Sequence, residues 1–215
     1  MEHDGKSALV IEMSPVIRAK SISLGIECFS DFAVIIYNPI ILSHGYDRVD
    51  LVFDRYFEDS LKEGTRNERG TGSMFVFEGD NTPIPNNMEQ TFMKKSKKKN
   101  ELNEYLARKL IEIHSGTQVL IATWKDTVLC SFDAEPLEHS IVSITKCQLE
   151  EADPRIVRHL LHILLCYAHF GRIVVNTIDT DVLILLISYV GCLEEIDPKV
   201  EIFAYLVNGG RNILT

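Results

Sequence analysis

The stretch EEADPRIVRHLLHILLCYAHFGRIVVNTIDTD, Glu150 to Asp181, decides how the chain is read. Asp153-Pro154 is a helix start, an N-cap acid followed by proline at the first helical position, where its missing N–H costs nothing. From there Val157, Leu160, Leu161, Leu164 and Ala168 share a wide apolar face, which predicts a helix over Asp153–Phe170 closed by Gly171. The β-branched run Ile173–Ile178 is a strand, ending at Asp179-Thr180-Asp181. A helix leading into a strand, with carboxylates at both ends of the unit, is the raw material for a divalent-metal site.

Outward from this unit the same alternation recurs. Arg48–Phe53 reads as a strand ending at Asp54, Gln118–Thr123 as another, with a turn at Trp124–Asp126 and an extended segment after it. Glu201–Leu206 is the last strand. Between them Ser21–Leu42 fits a buried helix and Asn100–Ile113 an amphipathic one. Val182–Tyr189, apolar on nearly every side, predicts a buried helix. Strands alternating with helices indicate an α/β three-layer domain with a largely parallel sheet. With 215 residues and no linker or internal repeat, the expectation is one domain spanning 1–215.

The net charge of −9 argues against a protein that coats nucleic acid, though it leaves room for a basic groove beside an acidic site. Five scattered cysteines without a CxxC give neither a disulfide framework nor a cysteine zinc module. The start MEHDGKSALVIEM has no signal-peptide pattern, and no apolar run approaches the roughly 20 residues that span a bilayer. The expectation is an intracellular protein, nuclear or cytoplasmic. Motifs for dinucleotide, P-loop, serine-hydrolase and zincin chemistry are absent.

In an open parallel sheet, ligands sit beyond the carboxyl ends of the strands. Asp54, Asp179 and Asp181 end strands, and Glu151 and Asp153 stand at a helix start that can reach the same edge. Oxygen-only sets of this kind suit Mg²⁺ or Mn²⁺. Each acid taken singly is more simply an N-cap or a solvated loop residue; the joint pattern points to metal. Two basic groups lie nearby in sequence. Ser60-Leu61-Lys62-Glu63 is a capping box that opens a helix carrying Lys62, Arg66 and Arg69 on one stripe. A lysine cluster, Lys94, Lys95, Lys97, Lys98 and Lys99, reads as a solvated loop able to add backbone affinity for nucleic acid. His159, His162, Cys166 and His169 line one side of the 153–170 helix beside Arg155, and read as a solvent-facing stripe.

The ordered blocks Asp4-Gly5, VDLVFD (Asp50–Asp54 at its end), SLKEGTRNERG (Ser60–Gly70), TPIP (Thr82–Pro85), EEADPR (Glu150–Arg155) and TIDTDVLIL (Thr177–Leu185) resemble the PIN-like nuclease fold. Within it they are most similar to the flap-endonuclease branch, and more narrowly to uncharacterised animal proteins in multigene or mobile-element-like contexts with VFDRY, EEADTR and TVDTDV blocks. The resemblance implies metal-dependent phosphodiester hydrolysis of DNA or RNA. It implies metal ligands at Asp4, Asp54, Glu151, Asp153, Asp179 and Asp181, and Lys62 and Arg69 on the scissile phosphate. It also implies a strand ahead of Asp4, so the expectation is a PIN-like domain lacking its first strand, N-terminally truncated, with a basic insertion around 55–100. Pro154 stands where the narrow group has threonine, and the helix–hairpin–helix region of flap endonucleases does not follow. The rival expectations are a catalytically inactive PIN-like module that binds nucleic acid or protein, and a structural α/β domain whose acids are caps.

Overall fold

The computed structural model describes residues 5–20, 26–41, 45–56, 75–88, 91–92, 96–131, 152–166, 170–208 and 211–213. In chain order these form β1 (Lys6–Glu12), α1 (Met13–Lys20), α2 (Phe29–Ile41), β2 (Arg48–Val52), α3 (Ser96–Glu112), β3 (Val119–Trp124) and β4 (Thr127–Cys130). Then come α4 (Asp153–Cys166), β5 (Phe170–Thr177), α5 (Thr180–Ile196), β6 (Glu201–Asn208) and β7 (Arg211–Ile213). The strands make one seven-stranded sheet in the order β4-β3-β2-β1-β5-β6-β7. The five inner strands run parallel, and β4 and β7 add antiparallel edges.

The α/β, largely parallel architecture expected from the alternation is present, with one correction. The sequence reading placed its first strand at Arg48, and a strand precedes it. Lys6–Glu12 is the central strand, paired to β2 on one side and β5 on the other. Its residues Ala8 to Ile11 are all buried. A strand covered on both faces is apolar without alternation, so period-two patterning cannot reveal it.

The two faces divide the core. Leu9, Ile11, Val49, Leu51, Leu120, Ala122 and Val174 face α1, α2 and α3 in the larger cluster, where Phe29 meets Phe77 edge-on at 4.8 Å between ring centroids. Ala8, Val10, Val52, Ile173 and Val175 face α4 and α5, against Ile156, Leu160, Ile163, Val182 and Leu186. Alternate residues of one strand therefore serve opposite layers.

On the α4 side, β2 carries two charged residues among the apolar ones. Arg48 grips Asp50 through both nitrogens of its fork, Nε and Nη2 each donating at 2.7 Å. Both side chains are at most 1 % exposed. The nitrogens of two α4 histidines complete the set. His159 Nδ1 bonds Asp50 at 2.7 Å while its Nε2 meets the Thr123 hydroxyl at 3.0 Å, and His162 Nδ1 meets Arg48 Nη2 at 2.9 Å. Burial alone would raise the Asp50 pKa, but the Arg48 guanidinium and the His159 hydrogen bond hold it well below the usual carboxylate range. Burial lowers both histidines, His162 to about 4, with the neighbouring Arg48 charge acting in the same direction. Each therefore serves as a neutral imidazole.

This corrects the reading of His159 and His162 as a solvent-facing stripe. They are 0 % and 2 % exposed, whereas Leu165 on the same helix is 67 % exposed. A helical wheel ranks side chains by polarity, but an imidazole with a buried carboxylate beneath it is satisfied inside. His169 and the Cys166 side chain lie outside the described residues. The helix also ends earlier than predicted, since Phe170 and Gly171 already belong to β5.

α5 departs from expectation too. Only Val182, Leu186 and Leu193 are buried along it, while Ile184 and Ile187 are 61 % and 73 % exposed. Among the described residues, no helix is long and apolar enough to cross a membrane.

Two outcomes follow from the buried network. Asp50→Ala leaves the Arg48 charge buried without its carboxylate, and should cost about 3–5 kcal/mol in urea unfolding. His162 binds its proton in the unfolded chain near pH 6.5 but in the folded one only near pH 4. The unfolded state thus binds more protons between these values, and stability falls as pH drops through that window by up to about 3 kcal/mol. His162→Asn keeps an acceptor for Arg48 without a titration, so its urea midpoint should change less between pH 7 and pH 4.5.

Candidate functional site

The strand order places β1 beside β5, where the chain, having built outward through β2 and β3, returns to build on the other side. At such a switch point the loops diverge and leave a cleft at the carboxyl edge. A cleft of about 320 Å³ lies there, lined by Glu12, Ser14, Pro15, Arg18, Asp54, Ile178, Asp179 and Thr180. Its acids come from three strand ends that are far apart in sequence.

Glu12 is the last residue of β1, on the face that also carries Ala8 and Val10, and only 8 % of it is exposed. The Thr177 hydroxyl, at the end of β5, donates to Glu12 Oε2 at 2.5 Å and itself accepts the Asp179 N–H at 2.9 Å. Asp179 caps α5, its Oδ1 accepting the Asp181 N–H at 2.8 Å. The Glu12 carboxyl is pushed up to about 7 by burial, against the Thr177 hydrogen bond and with further upward pressure from Asp54, Asp153 and Asp179. Glu12 therefore feels three other carboxylates across this edge.

Asp54 joins the front of the chain to the back. Its Oδ1 accepts the Ala152 N–H at 3.0 Å, which draws the start of α4 to the end of β2. Its Oδ2 accepts the hydroxyls of Ser14 and Tyr56. α3 fixes this corner from the side. Asn100 bonds both the carbonyl and the N–H of Tyr56, and Asn103 donates to the Asp54 carbonyl at 3.1 Å. The Lys99 ammonium sits 4.4 Å from the Tyr56 ring centroid. Burial and the Asp54 charge raise the Tyr56 pKa well above that of an ordinary phenol, so it stays a donor.

The expected site residues divide accordingly. Asp54 and Asp179 line the cleft with Glu12, which sequence reading left out of the set, while Asp153 is not a cleft residue and reaches Glu12 only through its charge. Asp181 is exposed in the first turn of α5 and is not among the cleft residues. Asp4, Glu151, Lys62, Arg66, Arg69, Lys94 and Lys95 lie outside the described residues. Lys97, Lys98 and Lys99 are not loop residues but open α3; Lys97 is exposed, Lys98 pairs with Glu101 at 2.6 Å, and Lys99 is 7 % exposed against Tyr56. The signal for Glu12 was present as the lone acid closing an apolar run, and it became readable only once that run proved to be a strand.

The donor set fits a hard divalent ion in kind, being all-oxygen, with Glu12 pushed up to about 7 by burial and further by neighbouring carboxylates. It is not preassembled. Among the described residues no group of three or more His, Cys, Asp or Glu side chains stands close enough to hold an ion as it is. Both Asp54 oxygens are occupied by protein donors.

A second constellation has catalytic spacing and no access. Thr123 Oγ1, His159 and Asp50 form a hydroxyl–imidazole–carboxylate chain at 3.0 and 2.7 Å, the connectivity of a nucleophilic triad. All three residues are at most 1 % exposed, so no substrate carbonyl reaches the hydroxyl. Its role is structural.

No family model, curated protein or solved structure matches the chain.

The Glu12 shift has a measurable sign. Its carboxyl releases its proton near 4.5 in the unfolded chain and near 7 in the folded one, so the folded state binds more protons between them. Stability therefore falls as pH rises through that window, by up to about 3 kcal/mol. Glu12→Gln keeps an acceptor for Thr177 and removes the charge. It should match the parent in thermal unfolding near pH 4.5 and exceed it at pH 8.

Proposed function

We propose that the chain is a Mg²⁺- or Mn²⁺-dependent nuclease domain of the PIN-like kind, hydrolysing phosphodiester bonds in DNA or RNA. The observation that supports this reading is the meeting of Glu12, Asp54 and Asp179, from three separate segments, around one switch-point cleft, with the Asp153 charge acting on Glu12 from the start of α4. A buried carboxyl pushed up further by neighbouring carboxylates, as Glu12 is, gains from a divalent cation beside it. The ordered sequence blocks that resemble PIN-like and flap-endonuclease proteins supply the choice of reaction.

In this reading Glu12, Asp54, Asp153 and Asp179 hold the ion or ions, with Glu151 beside them in sequence. A divalent ion bound there supplies activation of water and neutralisation of charge on the phosphoryl oxygens. The chain's own residues do the remainder. Thr177 fixes Glu12 Oε2, which leaves Oε1 as the oxygen that takes up or gives off a proton near neutral pH. Tyr56 and Ser14 orient Asp54, and Asp179 is held in place as the cap of α5. Asp4 and Asp181, ligands by family resemblance, are secondary to Glu12 in this assignment.

A second reading, a PIN-like module that binds nucleic acid or protein without turnover, is favoured by one observation: no three acids among the described residues are close enough to hold an ion without rearrangement. The two separate on metal.

For the nuclease, Mn²⁺ at a hundredfold excess over its Kd should stabilise the fold by about 2.7 kcal/mol, read as a rise in Tm that EDTA reverses. Asp179→Asn keeps the helix cap while removing a charge. It should abolish most of that rise and lower cleavage of labelled single-stranded and branched oligonucleotides by about a hundredfold or more. Cleavage that persists in EDTA, or undiminished in Asp179→Asn, would rule the assignment out. Oligonucleotide binding with neither Mn²⁺ stabilisation nor cleavage would establish the module instead.

A further inference from the structure

The acids explain how a cation is attracted but not how a polyanion approaches them. A phosphodiester entering a cleft lined by Glu12, Asp54 and Asp179 meets the like charge of the two aspartates. The family resemblance assigns phosphate contacts to Lys62 and Arg69, outside the described residues. The described structure offers a different cation at the cleft itself.

β1 runs into α1 without a loop, Glu12 being followed directly by Met13. The first turn of α1 therefore stands over the carboxyl edge of the sheet. Ser14 and Arg18, one turn apart on one helix face, both line the acid cleft. The same two residues also line a narrow crevice beside it, with Tyr56, Lys99 and Asn103. Ser14 and Arg18 are thus shared walls between the acids and a second cation. Lys99 is anchored rather than free to swing, its ammonium over the Tyr56 ring at 4.4 Å and the residue 7 % exposed. Arg18 is exposed, and it lines both the acid cleft and the crevice that holds Tyr56.

We infer that Arg18, with Lys99 behind it, forms the phosphate-binding wall of this cleft and that Arg18 contacts a substrate phosphodiester next to the acid cluster. A guanidinium suits the task because its planar fork grips two phosphate oxygens at once and stays charged at any working pH. Lys99, too deeply seated to follow a ligand, supplies fixed positive potential along the same wall. The inference deepens the nuclease reading, since it names the group that admits the substrate of that site, and it rests on that reading for the identity of the substrate.

The test uses the full chain and fluorescein-labelled single-stranded DNA and RNA of one sequence, with Ca²⁺ in place of Mn²⁺ so that binding is read without cleavage. Arg18→Gln should weaken binding about tenfold at low salt and reduce the salt slope by about one. Arg18→Lys should recover part of the affinity. Arg108→Gln removes an equal charge from an exposed position on α3, where Arg108 pairs with Glu104, and should leave both quantities unchanged. Were Arg18 only a counter-charge to the acids, Arg18→Gln would leave oligonucleotide affinity untouched and enlarge the Mn²⁺-induced rise in Tm; that pattern overturns the inference and leaves the nuclease reading standing. Absence of oligonucleotide binding by the parent protein overturns the inference as well. Arg18-dependent binding without Mn²⁺ stabilisation or cleavage upholds the inference and removes the nuclease reading. A stronger loss with one of the two oligonucleotides identifies the substrate as DNA or RNA.

Discussion

A carboxylate with no access to water sits near the middle of this molecule. Asp50, on β2 beside the central strand, is fully buried, and an ionised acid there costs several kcal/mol unless its charge is matched and its lone pairs are filled. Arg48 fills them from two residues away on the same strand face, and His159 from the helix above. The requirement propagates. His159 needs a partner for its other nitrogen and has Thr123 on β3, and Arg48 needs an acceptor and has His162. One buried charge thus fixes the rotation of α4 and ties that helix to two strands. Hydrophobic contact alone would tolerate a slip between layers; a bidentate pair and two directional imidazole bonds do not.

The rotation of α4 has a consequence at its N-terminus. With His159 and His162 turned to the sheet, the first turn reaches the carboxyl edge, and Ala152 donates to Asp54. The Asp54 carboxylate then joins three parts of the chain, with Ser14 and Tyr56 on its second oxygen and α3 holding Tyr56 through Asn100. The acid on β2 and the acid just beyond it have different surroundings. Asp50 is spent on holding layers together, while Asp54, four residues on, opens on the cleft.

The more conspicuous catalytic pattern is the one without access. Thr123, His159 and Asp50 have the spacing of an activated nucleophile and are sealed in the interior. Glu12, Asp54, Asp153 and Asp179 lack ideal ligand spacing and lie where the sheet opens. Position relative to the switch point carries more weight here than internal geometry, because chemistry needs a path for the substrate.

The sequence by itself determined the layer architecture and the parts of the site at strand ends. Runs such as RVDLVF and RIVVNTI are β-branched and bounded by polar turns, and such local patterning survives without tertiary context. Asp54 and Asp179 were legible because a parallel sheet places ligands at its carboxyl edge whatever else the chain does. Only the tertiary structure decided the rest. β1 is buried on both faces, so its apolar run carries no period, and Glu12 could not be recognised as a strand-end acid. His159 and His162 look solvent-facing on a helical wheel because their partners, Asp50 and Arg48, lie more than a hundred residues away in sequence. Lys99 reads as one of a solvated lysine run until Tyr56 is found beneath it. In each case the local sequence states what a side chain is, and a contact from a distant segment decides whether burying it is favourable.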